Sequence, residues 1–261
     1  MKLFLKAFLA SVFCFTFHTS ARADISSLKL CYENREQPPY YLGDSVIVPS
    51  QKQGIYIEIL TKVAAQLEIE LSLVRRPWNR CLRLLELNEI DGVLGASFLE
   101  ERKAIGHYPF KAGIIDQNAR LAKKSYSLYV LKNHRFVWTG DLSQIKGKSI
   151  GIPLGYAIGT KLNRVGVKVS EQPHTELLLE MLKHRRIEVI ATLAEVGDFL
   201  IQKDPLRYKD IIKLSPNLQA KAYYLLFSHQ YYDVNRDIAE AIWNLIPVYR
   251  PEIDTKYGIV D

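Results

Sequence analysis

The sequence predicts an α/β fold of two lobes, each a mostly parallel sheet flanked by helices, and three observations predict it. A β-loop-α-β-α-β order opens the chain, the same grammar returns after residue 148, and two β-rich runs stand where the chain would cross between lobes. An echo at an offset of 97 residues sets Leu85, Ile90, Asp91 and Val93 against Leu182, Ile187, Glu188 and Ile190. Two similar lobes describe this better than one sheet.

The elements follow in order. Leu28 to Tyr32 is a short apolar strand, and the loop through Gln37-Pro38-Pro39-Tyr40-Tyr41 is kept out of helix by its prolines. Ile55, Ile59, Val63 and Leu67 recur on one face of a helix over 55–67. Ile69, Leu71 and Leu73 alternate with polar residues, which is strand periodicity. A second helix is predicted over 79–88 and a third strand over 90–95. Downstream the pattern gives a strand over 148–153, a helix over 176–184, a strand over 187–193 and a helix over 195–203. Tyr126 to Leu131 and Tyr223 to Phe227 carry the chain across and back, and a last helix over 234–249 returns to the first lobe. The expected division is 1–23 as a leader, 24–128 with 227–261 as lobe 1, and 129–226 as lobe 2.

Composition excludes several classes. With 48% hydrophobic and 24% charged residues, and only 11 prolines and 14 glycines in 261 residues, the chain is neither disordered nor collagenous nor disulfide-dense. Its beginning reads as a cleaved secretory signal: Lys2 and Lys6, an apolar run from Ala7 to Phe17, then Ala21-Arg22-Ala23 before Asp24. The run is shorter than the roughly 20 residues a membrane span needs, and Phe13 before Cys14 does not fit a lipoprotein signal. An exported, soluble, periplasmic protein is expected. Without the leader's Lys2, Lys6 and Arg22 the chain carries 32 basic against 28 acidic residues, too mild a balance for a nucleic-acid partner. Two cysteines remain, Cys31 and Cys81; an even count in an oxidising compartment points to a disulfide, with two buried free thiols as the alternative.

No catalytic apparatus stands out. The six histidines are scattered, and no His-Glu-x-x-His, Cys-x-x-Cys or Gly-x-Ser-x-Gly motif is present, so neither a metal, a cofactor nor a nucleophile elbow is suggested. Gly151, Gly155 and Gly159 read as a strand-to-helix turn whose backbone N–H groups are available to a polar ligand. What remains is a concentration of aromatics and arginines after the strands of the first lobe: Tyr32, Tyr40, Tyr41, Arg75, Arg76, Trp78, Arg80 and Arg102. In an open parallel sheet ligands bind beyond the carboxyl ends of the strands, and an aromatic floor with a bidentate guanidinium suits a small organic anion.

These residues carry a resemblance. Gly54-Ile55-Tyr56-Ile57-Glu58-Ile59-Leu60, Pro77-Trp78-Asn79-Arg80-Cys81-Leu82, Glu89-Ile90-Asp91-Gly92-Val93, Glu101-Arg102-Lys103 and Ile145-Lys146-Gly147-Lys148-Ser149-Ile150-Gly151 together resemble the family 3 periplasmic solute-binding proteins, the receptors of polar amino-acid ABC importers. The likeness implies a type II periplasmic-binding-protein fold, two lobes on a two-strand hinge that close on a small-molecule ligand. By that resemblance Arg102 clamps a ligand carboxylate, Trp78 is a stacking wall, and the stretch Gly95, Ala96 and Ser97 offers hydroxyl and backbone N–H groups. Tyr40, Arg80 and Tyr156 are further expected ligand-binding residues, Tyr156 as an aromatic added at the second-lobe glycine turn. Leu193 stands where an aspartate would pair with a ligand ammonium, and Glu195 is the carboxylate placed to substitute.

The function implied is an extracytoplasmic, monomeric, non-catalytic receptor for an amino acid or related carboxylate, serving an ABC permease or a membrane sensor. An enzyme on the same scaffold is the alternative: the periplasmic cyclohexadienyl dehydratases resemble this family, and Glu195 or Glu101 would then be the acid. A domain that only contacts a partner protein or peptidoglycan is a third reading. As an arginine exposed in a cleft, Arg102 is expected to contribute little to stability.

Overall fold

The computed structural model describes residues 27–259; the leader, its Ala21-Arg22-Ala23 cleavage site and Cys14 lie outside the described residues. Lobe 1 begins with β1 (Ser27–Glu33), α1 (Ile55–Gln66), β2 (Glu70–Arg76), α2 (Trp78–Glu86) and β3 (Gly92–Ser97), followed by a small hairpin of β4 (Phe110–Lys111) and β5 (Ile114–Ile115). The chain leaves through β6 (Ala122–Leu131) and builds β7 (Ser149–Pro153), α3 (Ile158–Arg164), β8 (Lys168–Gln172), α4 (Thr175–Lys183), β9 (Ile190–Leu193), α5 (Ala194–Lys203) and β10 (Ile211–Lys213). It returns through β11 (Gln219–Phe227) to α6 (His229–Val234) and α7 (Arg236–Lys256).

The strands run in the order β2-β1-β3-β11-β6-β9-β7-β8, with β10 on β6. Each lobe has the same plan: three parallel strands, the first in the middle, and one antiparallel strand closing the third. In lobe 1 that closing strand is β11 against β3, and in lobe 2 it is β6 against β9. The two closing strands pair with each other over Ala122–Tyr126 and Gln219–Tyr223, a two-strand ribbon between the lobes. Both strands begin earlier than their aromatic runs predict, and the ribbon lies in the extra residues. The echo at 97 is real in three dimensions: α4 starts and ends 97 residues after α2.

Packing explains the main elements. On α2, Trp78, Cys81 and Leu85 form one buried stripe at helical spacing, and Cys81 is joined to Cys31 of β1, their Cα atoms 5.6 Å apart, so the disulfide ties α2 to the sheet. The last helix departs from expectation. It runs beyond Tyr249 to Lys256 with Pro247 and Pro251 inside it. The stripe Ala239, Ile242, Trp243, Ile246, Arg250 and Ile253 stays buried through both prolines, and this burial outweighs the roughly 3 kcal/mol that an interior proline costs. Ion pairs Lys62–Glu252 and Lys256–Glu58 hold its end to α1. No helix among the described residues is long and apolar enough to cross a membrane.

Candidate ligand-binding cleft

The carboxyl ends of the parallel strands meet between the lobes. Glu33 ends β1, Ser97 ends β3, Tyr156 follows β7 and Leu193 ends β9, and all four line one cavity of about 20 Å³ with Trp78, Arg102, Gln37, Tyr41, Tyr126 and Tyr223. A groove of about 320 Å³ shares Glu33 and Tyr156 with it and continues along lobe 2 past His174, Lys203 and Arg207. The two residues common to both spaces are joined by a hydrogen bond from the Tyr156 hydroxyl to Glu33 Oε2, 2.7 Å. A broader depression of about 810 Å³ flanks the hinge ribbon at Phe98, Lys123 and Lys221 and includes neither Arg102 nor Trp78.

Arg102 sits on the 3-10 turn Glu100–Ala104 and is only 7% exposed. Its guanidinium lies 5.4 Å from the Trp78 ring centroid, Trp78 being the first residue of α2 after Pro77. It donates to two carbonyls, Ser97 at 3.0 Å and Gly155 at 3.1 Å, and among the described residues it makes no ion pair with a carboxylate. The Gly155 bond crosses from lobe 1 to lobe 2. Such a fork, over a ring and facing a cavity, is suited to a carboxylate that supplies the missing charge.

Gly155 explains itself. It adopts φ +74°, and a Cβ built there overlaps the Asn79 side chain of the opposite lobe. Its N–H donates to Glu171 Oε1 at 3.1 Å, so the turn offers the cleft a carbonyl where the sequence suggests an amide donor. Alanine at 155 is expected to hold the lobes apart: a closing penalty of about 1.4 kcal/mol lowers ligand affinity about tenfold. Small-angle scattering of the variant with saturating ligand should then retain a larger radius of gyration than wild type.

Behind the cavity lies a buried polar chain. Lys124 on β6 is 1% exposed and donates to Gln37 Oε1 at 2.6 Å. Gln37 Nε2 donates to Glu33 Oε2 at 2.8 Å and to the Tyr156 hydroxyl at 2.6 Å, and the Tyr41 hydroxyl donates to Glu33 at 3.2 Å. Burial pushes the Glu33 carboxyl up, against the pull of these donors and of Lys124. Burial also pushes the Lys124 ammonium down to about 7, opposed by Glu195 and then Glu33. Glu195 is raised by burial; its Oε1 accepts from the Ser125 N–H at 3.3 Å and its buried Oε2 has no hydrogen-bond partner among the described residues.

The expected residues divide. Arg102, Trp78, Ser97 and Tyr156 come together at the cavity, and Leu193 presents an apolar wall where a carboxylate would be needed. Glu195 lies off the cavity lining, turned to the Ser125 amide. Ala96 faces the other side of β3 from Gly95 and Ser97, packed among Cys31, Leu85 and Leu226, because side chains alternate across a strand. Arg80 is exposed on α2, since two helical residues beyond Trp78 is about 200° around the axis. Tyr40 does not line the cavity; it packs at 5.3 Å against Tyr56 in the lobe 1 core. Arg75 is structural, fully buried over the Tyr32 ring and bonded to the Glu33 and Gly43 carbonyls. Sequence reasoning passed over Glu33, Gln37 and Lys124. Glu33 alone carried a signal, since it closes a strand at its carboxyl end. Among the described residues no group of three His, Cys, Asp or Glu side chains stands in metal-holding arrangement.

Outside the cavity two exposed ion pairs join the lobes, Arg164–Glu101 at 2.8 Å and Lys203–Glu36 at 3.2 Å, each worth well under about 1 kcal/mol in water.

No protein-family model matches the sequence, and no curated protein matches it. Solved structures do match. An ancestral arginine-binding protein bound to arginine superposes with TM-score 0.68 at 17% identity, over 89% of this chain and 98% of that one. A histidine kinase sensor domain with similarity to periplasmic binding proteins gives 0.69 at 12%, over 90% and 94%. The substrate-binding protein of an amino acid ABC transporter gives 0.64 at 15%, over 89% and 96%. The lobes, the crossing ribbon and this agreement over nearly the whole length establish that the chain has the two-lobed α/β fold of the periplasmic binding proteins.

Proposed function

We propose that the protein is an extracytoplasmic solute-binding receptor that captures a small organic carboxylate between its lobes by hinge closure, without catalysis. The observation that carries this reading is Arg102: a buried guanidinium at the cleft, stacked on Trp78, with carbonyls as its hydrogen-bond partners and no carboxylate among the described residues. Closure draws its free energy from contacts the ligand makes only when both lobes reach it, and Arg102, bonded to Gly155, lies where they meet. The signal-like leader supports a periplasmic location. Fold relatives that work with a transporter and with a kinase support the two contexts, an ABC importer or a membrane sensor.

A thermal-shift screen of the protein from Asp24 onward, against amino acids, other carboxylates, amines and short saccharides, tests this. A ligand at 100 times its dissociation constant adds about 2.7 kcal/mol and raises the midpoint by roughly 5 to 10 °C. A carboxylate response is expected; a panel that responds only to amines or saccharides defeats the reading.

One observation favours a second reading, a dehydratase of the cyclohexadienyl type: the Glu195 carboxyl is raised by burial and has a free Oε2. Loss of prephenate or arogenate during incubation, abolished in Glu195→Gln, would establish it.

A further inference from the structure

We propose that Lys124 is a built-in occupant of the cleft's cation subsite, so that the ligand selected is a carboxylate carrying no ammonium group. This rests on the carboxylate-receptor reading above. The Lys124 Nζ stands 4.4 Å from the Tyr40 ring centroid, 4.8 Å from Tyr223, 4.9 Å from Tyr56 and 5.5 Å from Tyr41. A box of ring faces around a desolvated amine is the environment that recognises an organic cation. Two of those rings, Tyr41 and Tyr223, also line the cleft cavity, as does Gln37, which accepts from Nζ. Box and cleft therefore share a wall.

The carboxylates that would attract an incoming ammonium are the same two that act on Lys124, Glu195 and Glu33. Glu33 Oε2 already accepts from Gln37, Tyr41 and Tyr156. On the other wall Leu193 offers no charge. A ligand ammonium would thus meet an apolar surface on one side and a filled box on the other, with Glu33, the carboxylate in the cavity lining, already engaged by three donors; an ammonium left without a full partner in a buried site costs several kcal/mol. Arg102 and Trp78 remain to take a carboxylate and the body attached to it. The stem and amine of Lys124 fill the box in either protonation state. Simple, keto or hydroxy acids fit this arrangement, and their amino analogues do not.

Matched pairs decide it: propionate against alanine, succinate against aspartate, and 3-phenylpropionate against phenylalanine, each titrated calorimetrically into wild type. Binding by the amino-free member, with at least a tenfold preference, is expected in every pair that responds. A preference for the amino member overturns the inference while leaving the carboxylate receptor standing. A second arm needs no native ligand. Lys124→Ala empties the box, and n-propylammonium at ten times its dissociation constant should raise the variant's midpoint by about 3 to 6 °C and leave wild type unmoved. No rise in the variant overturns the inference whatever carboxylates bind. If no carboxylate pair moves wild type, the receptor reading is decided by the wider screen above, and the propylammonium arm still decides the role of Lys124. Lys124→Ser, whose side chain is also short enough to empty the box, serves if the alanine variant does not fold.

Discussion

Arg102→Met is expected to reduce affinity for a carboxylate ligand at least 100-fold, a loss of about 2.7 kcal/mol, within the range for removing one partner of a desolvated charge pair. The replacement keeps a long apolar stem against Trp78, so the loss reports the fork rather than stacking area. Arg102→Lys should recover only part of it, because an ammonium cannot reproduce two parallel N–H donors. Stability should fall too. The expectation that an exposed cleft arginine does little for the fold does not survive its 7% exposure and its bonds to Ser97 and Gly155. Leaving those carbonyls unpaired costs about 1 to 3 kcal/mol. Calorimetric titration and a urea melt of the same variant separate the two effects. Retention of full affinity would defeat the clamp.

The second large effect is expected from the Cys31–Cys81 bridge. It closes a separation of 50 residues, for which the chain-entropy model gives about 4 kcal/mol of stabilisation. The double variant Cys31→Ala, Cys81→Ala should lose an amount of that order in a urea melt, and reducing agent should lower the wild-type midpoint but not the variant's. Both cysteines are fully buried, so cavity formation adds to the loss. The bridge also fixes the start of α2, three residues from Trp78, so ligand affinity should weaken alongside stability. A loss below about 1 kcal/mol would show that the unfolded chain is not constrained as the model assumes.

How much of this was readable beforehand depends on where each signal came from. The stripe on α1 and the alternation in β2 are set by burial on one face, and periodicity reports that directly. Strand β8, Lys168–Gln172, is only partly buried and carries polar residues, so it has no apolar pattern to read. α3 is seven residues with two internal positions occupied by glycine and threonine, too short and too weak in propensity to stand out. Pro251 argues for an end to α7, and only tertiary packing overrides it. In the cleft, Arg102 and Trp78 were legible because they belong to compact motifs. Lys124 was not: a lysine in Ala122-Lys123-Lys124-Ser125 reads as a solvated edge, and its burial depends on tyrosines drawn from three other segments, at 40–41, 56 and 223. Arg80 is exposed on α2, and adjacency to Trp78 in the sequence does not report which side of the helix a residue occupies.

The discontinuity of lobe 1 has a consequence for biogenesis. Its third strand finds its neighbour β11 only after every strand of lobe 2 has been made, since Gly92–Ser97 pairs with Tyr223–Phe227. Lobe 2 needs no such wait; β6 to β10 are contiguous in the chain. A nascent chain emerging from its N-terminus would present β3 as a bare sheet edge for most of its synthesis, the kind of edge that recruits other chains. The autonomous middle lobe is then the first part able to complete itself, and the outer lobe, with its high contact order, the slow step that a holdase has most reason to protect.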